Sequence, residues 1–429
     1  VFQRIDEFHD WWNQQQQAHP FHVTPAPLDQ LTGWSADQDT GVIRHRSGRF
    51  FSVEGLEVST DHGFVEEWSQ PIIDQPESGI LGILVKRVRG VPYFLMQAKA
   101  EPGNVNVIQL SPTVQATKSN YSRVHQGKSV PYLEHFLAPR RGRILSDVLQ
   151  SEQGAWFLHK RNRNMIIEID EDVDALDGFC WLSREQLSEL FAVDNLVNMD
   201  SRTVLAGYPL PGTSAGTHND TASLLSWFTE AKSRYRLDRR RIPLNAVKKW
   251  IWSPDGIRHE DDKYFSVIGV DVVAGNREVA GWSQPLLAPK HRGLVALLVR
   301  RVDGQLQVLM RALTQAGTLD VVEIGPTVQC APGNHADTEP QPAFLDHVLT
   351  APKERLLFDT VHSEEGGRFY HAENRYVVVD TGDQLPDDVG HDFTWMTLPQ
   401  LAELARYSNH VNVEARNVLA CLIFQPSER

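Results

Sequence analysis

A chain of 429 residues, 41% hydrophobic and 23% charged, is long enough for two or three soluble domains, each with its own core. A net charge of −13 disfavours nucleic acid as a general partner, but leaves room for one small anion in a local basic pocket. No apolar run approaches the roughly 20 residues of a membrane helix, and the opening residues show no signal-peptide pattern. Three distant cysteines, Cys180, Cys330 and Cys421, argue against a disulfide framework or a Cys-based zinc site and for a reducing cytoplasm.

In chain order, residues 3–18 are expected to form a helix with Trp11 and Trp12 on its apolar face, before Pro20, Pro25 and Pro27 break the chain. A short helix over 28–34 and strands near 42–46 and 49–58 follow. The apolar run 80–85 reads as a buried strand, with 91–98 as its hairpin partner across Arg89-Gly90. Another strand is expected over 105–115. Residues 143–152 read as a helix ended by Gly154, residues 165–169 as a strand, and residues 183–191 as a helix capped by Ser183. Strands, helix, strand and helix in this order indicate an α+β unit with a mixed sheet.

That unit is written twice. Trp68-Ser69-Gln70-Pro71 recurs as Trp282-Ser283-Gln284-Pro285, and Pro112-Thr113-Val114-Gln115 as Pro326-Thr327-Val328-Gln329. Between residues 43 and 115 no gap is needed, and 28 of the 73 aligned positions are identical. The match continues through Ser151-Glu152-Gln153-Gly154 against Ser363-Glu364-Glu365-Gly366. This period is far longer than a solenoid repeat. The expected organisation is a first unit over 1–208, a linker over 209–220 rich in Pro and Gly, and a second unit over 221–429.

No G-x-G-x-x-G, P-loop, G-x-S-x-G or H-E-x-x-H pattern is present. The segment ending at Gly154 is similar to the Nudix hydrolase motif, which gathers an Arg-Glu pair and Glu-Glu-x-Gly to hold magnesium on a diphosphate. Aligned on Gly154, those positions fall on Asp147, Val148, Ser151 and Glu152. In the second unit they fall on Asp359, Thr360, Ser363 and Glu364. One glutamate per copy is too few oxygen ligands for a hard divalent cation. The expectation is two tandem Nudix-like units that hold no metal.

Trp68 with Gln70, and Trp282 with Gln284, offer an aromatic plane and an amide able to stack on a base and read its edge. An ordinary core Trp beside a turn Pro is the competing reading. Lys160-Arg161-Asn162-Arg163 becomes Ala372-Glu373-Asn374-Arg375 in the second copy; Lys160, Arg161, Arg163 and Arg375 suit a diphosphate, although such runs also serve as solvated turns. After Gln115 the first copy continues with Lys118, Asn120, Tyr121 and His125, where the second has Cys330-Ala331-Pro332-Gly333-Asn334-His335. The surplus of proton-moving groups makes the first unit the expected seat of the chemistry, with Trp282 and His335 mattering less. Lys118, Tyr121 and His125 are the candidate base, acid and oxyanion donor, in no assigned order, with Glu152 in reserve.

The strings from Gln109 to Tyr121, from Ser151 to Phe157, from Lys160 to Asn164 and from Ser363 to Tyr370 resemble the NDP-hexose 2,3-dehydratases, and the resemblance covers nearly the whole chain. The resemblance implies a tandem Nudix-like fold, a homodimer, and a dTDP-4-keto-6-deoxyhexose substrate. It also implies two sugar-nucleotide pockets per chain, one of them a relic, while Gln115 and Asn120 join the candidate substrate contacts above. The implied reaction removes the C2 hydroxyl after proton abstraction at C3. It needs no redox cofactor, in agreement with the missing dinucleotide fingerprint. A Nudix-type sugar-nucleotide hydrolase and a non-catalytic sugar-nucleotide sensor are the alternatives.

Overall fold

The computed structural model describes the chain apart from residues 3, 19, 118–129, 139–141, 211–219, 276–280, 336–340 and 426–429. Its described residues form a mixed α+β fold, mostly strand, built from two repeated sets of sheets. The first seven-stranded sheet centres on Ile80–Val88, which pairs parallel with Arg161–Ile169 and antiparallel with Val91–Ala100 and Val114–Ala116. Its counterpart centres on Gly293–Val302 with the same mixture of directions.

Several expected elements are present. The first helix is Ile5–Ala18, burying Phe8 and Trp12. The hairpin across Arg89-Gly90 joins Ile80–Val88 to Val91–Ala100. The helix Arg184–Phe191 opens on a capping box: Ser183 accepts from the Gln186 backbone, and the Gln186 side chain reaches back. The short helix at Leu28–Gln30 is a 3₁₀ turn, followed by the strand Trp34–Ala36.

One element is corrected. Residues Arg143–Ser151 are a strand, paired antiparallel with Arg161–Ile169, rather than a helix. The register shifts between Ile144 and Ser146, and the equivalent strand Leu356–Ser363 shifts between Leu356 and Phe358. A bulge adds one residue and breaks the alternation of faces. The apolar residues 144, 145, 148 and 149 then acquire the spacing of a helix. Asp147 and Glu152 therefore do not share a helical face, and the helix that would carry a Nudix metal motif is absent from this segment.

The repeats exchange a strand. Phe21–Ala26, from the first repeat, pairs antiparallel with Phe265–Ala274 of the second. Leu237–Ile242, from the second, pairs with Ser52–Thr60 of the first. Each five-stranded sheet is thus completed by the other copy. Pro25 is tolerated because its strand is an edge. The helices Met199–Leu205 and Val413–Phe424 pack together, and one apolar cluster draws residues from both repeats, including Val204, Leu205, Val418 and Leu419. No helix among the described residues is long and apolar enough to cross a membrane. Cys180, Cys330 and Cys421 are free thiols.

Candidate active site

Strand exchange is matched by an exchange of loops. The Gly103 N–H donates to the Gly366 carbonyl at 2.7 Å, and the His371 N–H donates to the Gly103 carbonyl at 2.8 Å. The mirror contacts run from Gly317 to Gly154 at 2.6 Å and from His159 to Gly317 at 2.7 Å. Both positions require glycine: a Cβ on Gly103 would stand 1.7 Å from the Phe369 carbonyl oxygen, and one on Gly317 equally close to that of Phe157. As a result, residues 365–368 of the second repeat lie against the Glu101 loop of the first.

The two Trp-Ser-Gln-Pro motifs lie on edge strands, Glu67–Asp74 and Gly281–Pro289. Within each, the indole N–H donates to the glutamine oxygen at 2.8 Å, Trp68 to Gln70 and Trp282 to Gln284. Each glutamine NH₂ donates onward at 2.8 Å, Gln70 to the Ala155 carbonyl and Gln284 to that of Gly367. The amides are thus engaged in pinning the loops, and what the motifs present is the indole face. Trp68 and Gln70 line a cleft of about 1080 Å³ over the second sheet, with Trp156, Trp250, Arg311 and His335. Trp282 packs instead in a cluster with Phe21, beside Ala100 and Val107, which flank the Glu101 loop. Each motif therefore serves the other repeat's sheet, which sequence order alone does not reveal.

The first sheet gathers a dense set of ionisable groups. Glu152 is 4% exposed; its Oε1 accepts from Asn162 at 2.7 Å, and its Oε2 has no partner. Burial raises its pKa against the pull of Arg416 and Lys160. Asp200, on the helix Met199–Leu205, is 3% exposed with Oδ1 unpartnered, and burial holds its pKa well above the usual carboxylate range, with Glu152, Glu101 and Glu365 adding to the effect. Glu101 accepts from Gln115 at 2.8 Å and pairs with Lys99 at 3.6 Å. Lys160 is buried and donates to the Glu77 carbonyl, and burial pushes its ammonium pKa down. The second repeat supplies Glu365 and Arg368; the latter donates to Gln75 at 3.1 Å and stacks over Phe51.

The equivalent glutamate of the second repeat is differently placed. Glu364 accepts from Asn374 and the Tyr376 hydroxyl, both at 2.7 Å, and from Gln153 at 2.6 Å. In the first repeat Asn164 stands where Tyr376 stands, and Glu365 replaces Gln153. Two donors have been removed around Glu152. Lys99, Glu101 and Lys160 are likewise replaced by Leu313, Gln315 and Ala372.

Other expected site residues are placed as follows. Arg163 makes a two-pronged bond to Asp147 at 2.7 and 2.6 Å, and Arg375 the same to Asp359 at 2.7 Å. These forks cross adjacent strands and are partly exposed. Arg161 opens its strand opposite Ser151. Lys118, Asn120, Tyr121 and His125 lie outside the described residues; the described chain reaches Thr117 just beyond the Gln115 that holds Glu101.

The sequence profile of the NDP-hexose 2,3-dehydratases matches residues 5–208 and again 221–422. The chain belongs to the NDP-hexose 2,3-dehydratase family. Three relatives are each described as a dTDP-4-dehydro-6-deoxy-α-D-glucopyranose 2,3-dehydratase. That of Streptomyces violaceoruber is 54% identical, over 97% of this chain and 96% of its own. The Saccharopolyspora spinosa protein is 47% identical over 97% and 90%, and the Amycolatopsis orientalis protein 46% over 98% and 91%. A crystal structure of a C. elegans Ap4A hydrolase matches 27% of this chain and 87% of that one at 20% identity, with a TM-score of 0.19, a likeness too slight to build on. Within this dehydratase family member, the asymmetry around Glu152 and Glu364 distinguishes the two copies of the fold.

Proposed function

We propose that this chain is a dTDP-4-keto-6-deoxyhexose 2,3-dehydratase, a hydro-lyase of deoxysugar biosynthesis, with its chemistry at the first repeat's sheet. The observation that carries the reading is the stripped environment of Glu152 beside a fully bonded Glu364. A buried carboxyl with an unused oxygen can hold or move a proton; one with every oxygen engaged serves structure. The C4 ketone acidifies C3–H. A base takes that proton, a donor stabilises the enolate oxygen, and the C2–O bond breaks as the ketone re-forms. The resulting 2,3-enol tautomerises to a 3,4-diketone. Lys118, Tyr121 and His125 supply the base and the oxyanion donor in this reading. Trp282 supplies the plane for the base of the nucleotide, and Lys160 and Arg161 face its diphosphate. Trp68 and Gln70 belong to the second pocket. The proposal includes Nudix kinship for the duplicated units, a cytoplasmic homodimer, and a role in building antibiotic sugars. Support for the compartment comes from three free, widely separated thiols.

Incubation with dTDP-4-keto-6-deoxyglucose and excess chelator, followed by mass spectrometry, tests the reading. The expected product has lost one water at an unchanged rate. Released nucleoside monophosphate with a magnesium requirement would make the protein a hydrolase, and unchanged substrate would make it a sensor.

The crossed motifs lead to a second expectation. Stacking of a base on an aromatic ring contributes about 1–3 kcal/mol. Trp282→Ala should therefore raise KM by on the order of tenfold, whereas Trp68→Ala should leave it within about twofold. Steady-state kinetics on both variants decide the matter. The reverse ranking would move the active site to the cleft over the second sheet.

A further inference from the structure

Glu365 lies in the second repeat, yet its electrostatic neighbours are Glu101, Glu152 and Lys99 of the first, together with Arg368 of its own loop. Its Oε1 accepts from the Gly367 N–H at 3.1 Å, and its Oε2 is shielded from solvent without a partner. Glu152 and Asp200, both more than nine-tenths buried, carry an unpartnered oxygen in the same cluster. At the mirror position Gln153 reaches across the repeats to Glu364 at 2.6 Å. By the repeat correspondence residue 365 answers to Gln153, so a carboxyl stands where the other copy has an amide, within electrostatic reach of Glu152.

We propose that Glu365 and Glu152 form a carboxyl pair holding one proton, and that this pair is the general acid for departure of the C2 hydroxyl. The inference rests on the dehydratase reading and deepens it: the active site is composite, and the second repeat contributes a reacting group. As the C2–O bond breaks, its electron pair leaves with oxygen and the carboxyl proton completes a water molecule. The pair is left doubly ionised, and takes a proton back from solvent once the C3 hydroxyl of the enol has become the ketone. Two adjacent carboxyls in a shielded site cannot both ionise readily. Burial, with Glu101 and Glu152, pushes Glu365 up to about 7 against the opposing charge of Arg368, and the titration belongs to the pair. Lys160, Arg416 and Glu364 face it from the Glu152 side, and the charges of both carboxyls are felt at Asp200. The active form is protonated, so turnover should fall as pH rises through about 7.

Glu365→Gln reproduces the arrangement the second copy already folds with, which makes it a conservative test. Dehydration, measured by mass spectrometry, should fall by at least about 10²-fold. Exchange of the substrate's C3 hydrogen with deuterated solvent, read by NMR, should persist within a few-fold, because the base is untouched. Glu365→Asp should recover part of the lost turnover. The wild-type kcat profile should carry an alkaline limb between about pH 6 and 8. The proposal is overturned if Glu365→Gln dehydrates within about fivefold of wild type. Loss of C3 exchange in a variant that still binds the nucleotide sugar would also overturn it. A flat wild-type profile would do so whether or not the variant folds. Failure of the wild type itself to release water would sink the dehydratase reading instead.

Discussion

Replacing Arg416 by Met should destabilise the chain by roughly 3–5 kcal/mol, the loss expected when one partner of a buried charge cluster is removed. Arg416 is fully buried on the helix Val413–Phe424. Its Nε donates to the Thr203 hydroxyl at 2.8 Å, its Nη1 to the Val411 carbonyl and its Nη2 to the Ser151 carbonyl, both at 2.5 Å. Two of these three acceptors belong to the other repeat. The guanidinium also faces Glu152, Glu323 and Glu414, each of which burial drives towards the neutral form. Methionine fills the space and satisfies none of this. Arg416→Lys should fall between the two, keeping the charge and losing the fork. Urea unfolding at pH 7 measures all three proteins. A loss below about 1 kcal/mol for Arg416→Met would show that the repeats hold together without this tie.

The duplication was legible because it needs only residue identity, and residues 43–115 have kept theirs. The hairpin across Arg89-Gly90 and the helix capped by Ser183 were legible because their signals are local. The strand Arg143–Ser151 was not, since its bulge disguises an alternating pattern as a helical one. Strand exchange left no signal at all. Phe21–Ala26 has the same strand character whichever sheet it joins, and periodicity does not name a partner. The site was half legible. Glu152 stands out within its repeat, whereas Asp200 looks like an ordinary helix residue. Glu365 was visible only as a Gln-to-Glu difference between the copies, and Asn164 as a lost tyrosine. Those two differences are in the sequence; the crossing of the loops gives them meaning, because it puts Glu365 beside a sheet almost the whole repeat away in sequence.

Reaction in deuterated water should place solvent deuterium at C2 of the product, trapped by reduction and located by NMR. No dinucleotide fingerprint accompanies the sequence, and the rise in oxidation level at C3 is balanced within the substrate by loss of the C2 hydroxyl. That elimination is feasible only while the C4 ketone spreads the charge of the C3 carbanion onto oxygen. A substrate analogue with a C4 hydroxyl should therefore bind through its nucleotide and give no detectable product. After water departs, C2 is an sp² carbon of an enol and must gain a hydrogen when the C3 ketone forms. A general acid delivers it, the role proposed for His125 or Tyr121, and a positioned group of this kind contributes roughly 10²–10⁴-fold. Transfer of the original C3 hydrogen to C2 without solvent label would mean an internal hydride shift. Such a shift would leave the carboxyl pair to expel water, but it would remove any need for a base at C3.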